Sequence, residues 1–248
     1  MCIVWYKDAF WLIKIMRCEM SKLLIIIPAY NEEKSIESVI DNLSEKFPQF
    51  DYVIINDGSK DDTLRICEEN GYNVISHPIN LGLECGIKTG MKYAYRMGYD
   101  YVIQFDADGQ HLPEYIDSMY KKMEEGYDIV IGSRFVEKKK PFSSRMLGSR
   151  LIATAIKITT GKTIKDPTSG MRMYNRLCMK EFSMNQNYGP EPDTVSFLMR
   201  NGAKVVEVQV DMQERIAGKS YLSFGRSISY MIRMLVSILI IQNFRKRS

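Results

Sequence analysis

Short apolar runs recur along the first half of the chain, separated by stretches in which apolar residues return every three or four positions. The run Leu23 to Ile27 is continuous, rich in Ile and ended by Pro28, as expected of a strand covered on both faces. Ile36, Val39, Ile40 and Leu43 follow at helical spacing. Tyr52 to Ile55 is the next run and stops at Asn56-Asp57-Gly58-Ser59, after which Asp61 and Asp62 supply the acidic residues that favour a helix N-terminus. The pattern goes on to predict a strand at Val74-Ile75, a helix over Gly82 to Gly98 and a strand over Tyr101 to Phe105. A helix over Pro113 to Glu125 and a strand over Asp128 to Ile131 complete it. Such alternation implies an α/β fold with a mostly parallel sheet flanked by helices.

After residue 134 the alternation stops. A basic loop, Lys138-Lys139-Lys140, leads to a helical stretch from Met146 to Ile158 and then to the turn-rich Asp166-Pro167-Thr168-Ser169-Gly170, where Asp166 reads as a turn former. Glu191-Pro192-Asp193 opens a helix that continues through Val195, Leu198 and Met199, with proline and acidic residues placed as an N-terminus prefers. Ala203 to Val210 alternates as a strand. Residues 227–248 read as an amphipathic helical tail, with Ile228, Met231, Ile232, Leu235, Ile238 and Leu239 at helical spacing and Arg245-Lys246-Arg247 at its end. An ordinary core helix would show this spacing. The basic terminus also suits a helix lying on an anionic membrane surface.

Composition narrows the class. With 248 residues, 45% hydrophobic and 26% charged, the chain has enough apolar material for one globular domain. The net charge of +4 is too mild to imply nucleic-acid binding. Five scattered cysteines without a C-x-x-C pair suggest neither a disulfide framework nor a zinc site, and point to a reducing cytosol. No stretch reaches the roughly 18 to 20 apolar residues needed to span a bilayer. Residues 1–19 are apolar and aromatic but lack a signal-peptide cleavage pattern, and read as a leader or loose N-terminal segment. Met20-Ser21-Lys22 makes a natural start just ahead of the first strand.

In open α/β sheets ligands bind beyond the carboxyl ends of the strands. The residues there are Tyr30-Asn31-Glu32, Asp57-Gly58-Ser59, Asp106-Ala107-Asp108-Gly109-Gln110 and Ser133-Arg134, a set better explained by a shared site than by turn formation alone. Alternate residues leaving a strand can aim the Asp106 and Asp108 carboxylates at one hard cation, Mg²⁺ or Mn²⁺, that also binds diphosphate oxygens. Gln110 and His111 are placed to complete or support that shell. Neither G-x-G-x-x-G nor G-x-x-x-x-G-K-[ST] is present, which argues against dinucleotide and P-loop chemistry.

At these positions the chain resembles the inverting family 2 glycosyltransferases of the GT-A fold. The matching segments are Ile25 to Glu33, Ile55 to Thr63, Asn80-Leu81-Gly82 and Asp106 to Gln110, which together cover most of residues 22–135. The resemblance implies that Pro28, Tyr30, Glu32 and Asp57 line a nucleoside pocket, and that Asp106, Asp108 and Gln110 hold metal and diphosphate. Within the family the later half is similar to polyprenyl-phosphate sugar synthases of the dolichyl-phosphate-mannose-synthase type, through Gly132-Ser133-Arg134, Ser169 to Tyr174 and Glu214 to Ser220. That subgroup commonly continues its arginine-glycine loop as serine-lysine. Here Tyr221 follows Ser220, and Lys219, one position before the serine, is the candidate replacement.

A lipid phosphate acceptor gives three arginines, Arg134, Arg172 and Arg215, a chemical purpose, since guanidinium groups grip phosphate oxygens bidentately. The expected organisation is a GT-A domain over 20–226, with a donor-binding half (22–135) and an acceptor-binding half (136–226), followed by the tail. The expected activity is inverting transfer of a hexosyl group from a UDP- or GDP-sugar to a polyprenyl phosphate. The enzyme would be peripheral to the cytoplasmic face of the cell membrane, with a membrane protein as a further possible partner. A saccharide hydroxyl acceptor would instead need a carboxylate base, for which Glu191 or Asp193 is the candidate. A non-catalytic nucleotide-sugar-binding scaffold on the membrane is the alternative outside enzymology.

Overall fold

The central strand β1 (Leu23–Ala29) owes its unbroken apolar run to burial on both sides, Leu24 and Ile26 in one core and Leu23, Ile25 and Ile27 in the other. The structure, a computed structural model, describes residues 22–184, 189–214 and 224–245. Beyond β1, the donor half supplies α1 (Ile36–Lys46), β2 (Asp51–Asn56), α2 (Thr63–Glu69), β3 (Val74–Ser76), α3 (Leu83–Met97), β4 (Tyr101–Gln104), α4 (Ile116–Glu124) and β5 (Ile129–Ser133). Then come α5 (Ser144–Thr160), β6 (Arg172–Asn175), α6 (Arg176–Met184), α7 (Pro192–Arg200), β7 (Val205–Gln209) and α8 (Phe224–Leu239).

The strands form one sheet in the order β3-β2-β1-β4-β6-β5-β7. Strand β6 is antiparallel to β4 and β5, and the other pairings are parallel. The chain builds outward from β1 to β3 and then crosses back through α3 to β4 on the other side of β1. The carboxyl ends of β1, β2 and β4 therefore surround a topological switch point, where α/β folds hold ligands.

The second half departs from the sequence pattern. Strand β6 and helix α6 were not marked by periodicity, because β6 is four residues long and has Arg172 and Asn175 at its ends. The expected helix from Pro113 is split into a 3-10 turn, Pro113–Tyr115, and α4. Helix α8 begins before residue 227, and a second 3-10 turn, Ile241–Phe244, follows it. Met234, Ser237 and Ile238 are buried, while Ile228, Ile232, Val236, Leu239 and Ile240 face outward. Among the described residues no helix is long and apolar enough to cross a membrane. Segment 1–19 lies outside the described residues.

Candidate active site

The loops after β1 and β2 are laced together. Ala29 and Asn56 are register partners, so Tyr30 and Asp57 leave the sheet side by side. Asn31 takes a left-handed conformation, φ 58°, held by its Oδ1 accepting the Lys60 amide at 2.8 Å and its own amide donating to Ser59 Oγ at 3.0 Å. The Glu32 amide donates to Thr63 Oγ1 at 2.8 Å, and its carboxylate accepts Ser35 Oγ at 2.7 Å. Asp57 is buried and accepts from His77 Nδ1 (2.8 Å) and the amides of Leu81 (2.9 Å) and Gly82 (2.8 Å). Pro28, Tyr30 and Glu32 are partly exposed around this seam.

Beyond β4, the Asp106 side chain is 31% exposed. Its backbone N–H donates to His111 Nδ1 at 2.9 Å, so the neutral ring carries its proton on Nε2, 3.6 Å from Asp106 Oδ2. A Cβ at position 170 would lie 3.1 Å from that same oxygen, so Gly170 packs directly on the carboxylate. Asp108 is buried, and its Oδ1 accepts the Gln110 amide at 3.0 Å. The Gln110 carbonyl accepts the Gln213 amide at 3.0 Å, and His111 bridges to Met212. The segment leading to Arg215 and Lys219, which lie outside the described residues, thus starts beside this loop. Among the described residues no three His, Cys, Asp or Glu side chains are grouped as metal ligands. Two carboxylates and an amide suit a hard cation that completes its shell with water and phosphate oxygens, as Mg²⁺ does.

The loop between α5 and β6 joins this carboxylate to a group of cations. Gly170 touches Asp106. At its other end the buried Asp166 carboxylate accepts Arg134 Nε (2.7 Å) and Nη2 (2.9 Å), a bidentate pair. Glu207 on β7 fixes the loop by accepting the amides of Lys165 and Asp166, both at 2.7 Å. From Asp166 a polar ring runs through Thr168 (3.4 Å) and Ser149 (3.2 Å) to Lys140 Nζ (2.8 Å). The Phe135 ring closes it, with the Lys140 ammonium 5.1 Å and the Arg134 guanidinium 5.2 Å from its centroid. Arg150 donates from Nη2 to the Lys140 carbonyl at 2.7 Å, while its Nη1 is buried without a hydrogen-bond partner. Burial lowers the Lys140 pKa and the positive charges of Arg134 and Arg150 lower it further, against the opposing pull of Asp166. By sequence alone Lys140 reads as part of a basic loop and Asp166 as a turn former. The sequence pattern does not single out Arg150.

Arg172 is placed differently from Arg134. It is 4% exposed, and its Nη1 and Nη2 donate to the carbonyls of Pro190 and Pro167, each at 2.6 Å. It braces two loops, while its Nε is buried without a hydrogen-bond partner. The candidate bases are likewise engaged by their own chain. The Glu191 carboxylate accepts the Tyr230 hydroxyl, and burial raises its pKa. Asp193 accepts the Thr194 amide at 2.8 Å and Ser237 Oγ at 2.5 Å, and its carbonyl accepts Gln242 Nε2. Both contacts to α8 tie that helix to the start of α7.

Comparison with known proteins agrees with this geometry. The family model described as Glycosyl transferase family 2 matches residues 24–182. A polyprenol monophosphomannose synthase of Mycolicibacterium smegmatis is 28% identical over 216 residues, covering 82% of this chain and 81% of the relative. An undecaprenyl-phosphate mannosyltransferase of Micrococcus luteus is 30% identical over 217 residues, covering 82% and 88%. Among solved structures, glucosyl-3-phosphoglycerate synthase from Mycobacterium tuberculosis, in complex with Mn²⁺, UDP-glucose and phosphoglyceric acid, superposes with a TM-score of 0.68. It shares 17% identity and covers 94% of this chain and 83% of its own. With the switch-point crevice, the Asp106 loop and the antiparallel β6 in place, the chain belongs to glycosyl transferase family 2, is a glycosyltransferase of the GT-A fold, and is similar within that family to the polyprenyl-phosphate sugar synthases.

Proposed function

We propose that this enzyme transfers a hexosyl group from a UDP- or GDP-sugar to a polyprenyl phosphate, with inversion at the anomeric carbon. The observation that carries the reading is the cation ring of Arg134, Lys140 and Arg150, joined to Asp106 by the single loop from Asp166 to Gly170. A buried guanidinium nitrogen without a partner wants an anion. Relatives named for transfer to polyprenyl or undecaprenyl phosphate support the lipid class of that anion.

In this reading Asp106 and Asp108, supported by Gln110, would hold Mg²⁺ or Mn²⁺, which would supply positive charge to the nucleoside diphosphate leaving group. The loops carrying Pro28, Tyr30, Glu32 and Asp57 bind the nucleoside. Arg134, with Lys140 and Arg150, binds the acceptor phosphate and orients one oxygen toward the anomeric carbon. Arg215 and Lys219, outside the described residues, remain the further candidates for phosphate binding. That oxygen forms the new bond as the bond to the diphosphate breaks, and the electron pair leaves with the diphosphate. A phosphate is already anionic, so positioning and charge stabilisation suffice without a base. The engagement of Glu191 and Asp193 with Tyr230, Thr194 and Ser237 supports this over a hydroxyl acceptor. The outward apolar face of α8 fits attachment at the cytoplasmic membrane surface, where such an acceptor is met.

The test is purified full-length protein with Mg²⁺ or Mn²⁺, undecaprenyl phosphate and a panel of labelled nucleotide sugars. Butanol-extractable labelled lipid is expected with one UDP- or GDP-sugar and none after chelation. Transfer to saccharides alone would overturn the acceptor assignment, and no transfer with intact donor binding would favour a scaffold.

A further inference from the structure

Three donors converge on the Asp57 carboxylate. His77 Nδ1 (2.8 Å) and the Leu81 amide (2.9 Å) reach Oδ1, and the Gly82 amide (2.8 Å) reaches Oδ2. A carboxylate offers about four acceptor positions, which leaves one on Oδ2. The imidazole is itself fixed at both ends, because its Nε2 lies 2.9 Å from Thr89 Oγ1 on α3, and Thr89 is anchored to the Cys85 carbonyl at 3.0 Å. The His77 side chain is 10% exposed and that of Asp57 6%, but both ring nitrogens of His77 are engaged, so a ligand that reaches this pair finds its open acceptor on Asp57. The turn beneath is equally constrained. Gly58 has φ +66°, and a Cβ there would come within 2.4 Å of the Ile79 carbonyl carbon.

We propose that His77 is a positioning residue for nucleobase choice: by fixing Asp57 Oδ1 it presents Oδ2 as an acceptor for a ring N–H, selecting uracil or guanine. Uracil and guanine carry a proton on the ring nitrogen of the pairing edge. Cytosine and adenine carry a lone pair there, which would face the carboxylate without a hydrogen bond. The proposal rests on the nucleotide-sugar reading above and names the part of the molecule that decides which nucleotides qualify.

Calorimetric titration of the full chain with UDP, GDP, CDP and ADP, each with Mg²⁺, tests it. Wild type should bind UDP or GDP about tenfold or more tighter than CDP and ADP, the range of one hydrogen bond to a charged group. His77→Leu should lose that preference by weakening only the favoured nucleotide. His77→Asn, whose amide N–H can stand in for Nδ1–H, should keep it, and His77→Gln, which reaches only the Nε2 position, should not. A folded His77→Leu with the wild-type preference overturns the proposal, as does His77→Gln behaving like His77→Asn. The Asn and Gln pair decides the matter if the leucine variant does not fold. Wild type binding none of the four would remove the nucleotide-sugar reading together with the proposal, whereas unchanged selectivity in every variant removes only the role of His77.

Discussion

Arg134 and Arg172 show one side-chain type put to opposite uses. Arg134 spends two donors on Asp166 and keeps 23% of its side chain exposed, so its remaining edge can meet a ligand. Arg172 is closed in: its Nη1 and Nη2 satisfy carbonyls of loops that lack secondary structure, and its Nε is buried without a partner. Beside it, Glu191 offers a test of the acceptor. Burial holds its carboxyl above the usual 4.5, with the Tyr230 hydrogen bond opposing. A group whose folded pKa is raised contributes stability that is fully present below the unfolded value and lost as pH rises through the folded one. Glu191→Gln retains an acceptor for Tyr230 and never ionises. Its melting temperature relative to wild type should therefore increase as pH rises through and above the ordinary carboxylate range, and a pH-independent difference would contradict the assignment. Lipid transfer should survive this change, whereas loss of a general base would cost about 10²–10⁴-fold in rate.

Elements differed in how openly the sequence declared them. Strand β1 is buried on both faces, so its apolar run has no competing reading, and the Asp-x-Asp after β4 gained meaning from that neighbourhood. Strand β6 escaped notice because pairing on both edges lets a buried arginine occupy a strand position that periodicity scores as polar. The cation ring was invisible for a related reason, since Arg134, Lys140, Ser149 and Asp166 meet only through the fold. Helices α5 and α8 present the clearest surface prediction. They pack together, and each carries outward apolar residues, Leu147, Leu151 and Ile158 on the first and Ile228, Ile232 and Val236 on the second. Each such side chain is worth up to about 1.5–3 kcal/mol when fully removed from water. Wild type should sediment with phosphatidylglycerol vesicles, and the double variant Leu151→Asp, Ile232→Asp should remain in the supernatant while still binding nucleotide. Equal sedimentation of the two would remove these helices as the attachment face.

At the scale of the whole molecule, the expected boundary near residue 135 cuts through a single sheet. Strand β5 forms no ladder with β4. Its partners are β6 and β7, both contributed by the later half. The insertion of β6 between them therefore has a temporal side. During synthesis the segments from β1 to β5 emerge first, yet β4 has an open edge and β5 has no neighbour until residues 172–175 arrive, an ordering that leaves long-range contacts to the end. A chain comprising residues 22–135 should accordingly lack a cooperative thermal transition by circular dichroism, and a sharp one would show that the first four strands suffice. The crevice at the carboxyl ends of β1, β2 and β4 would then take its final shape only once β6 has joined β4 to β5.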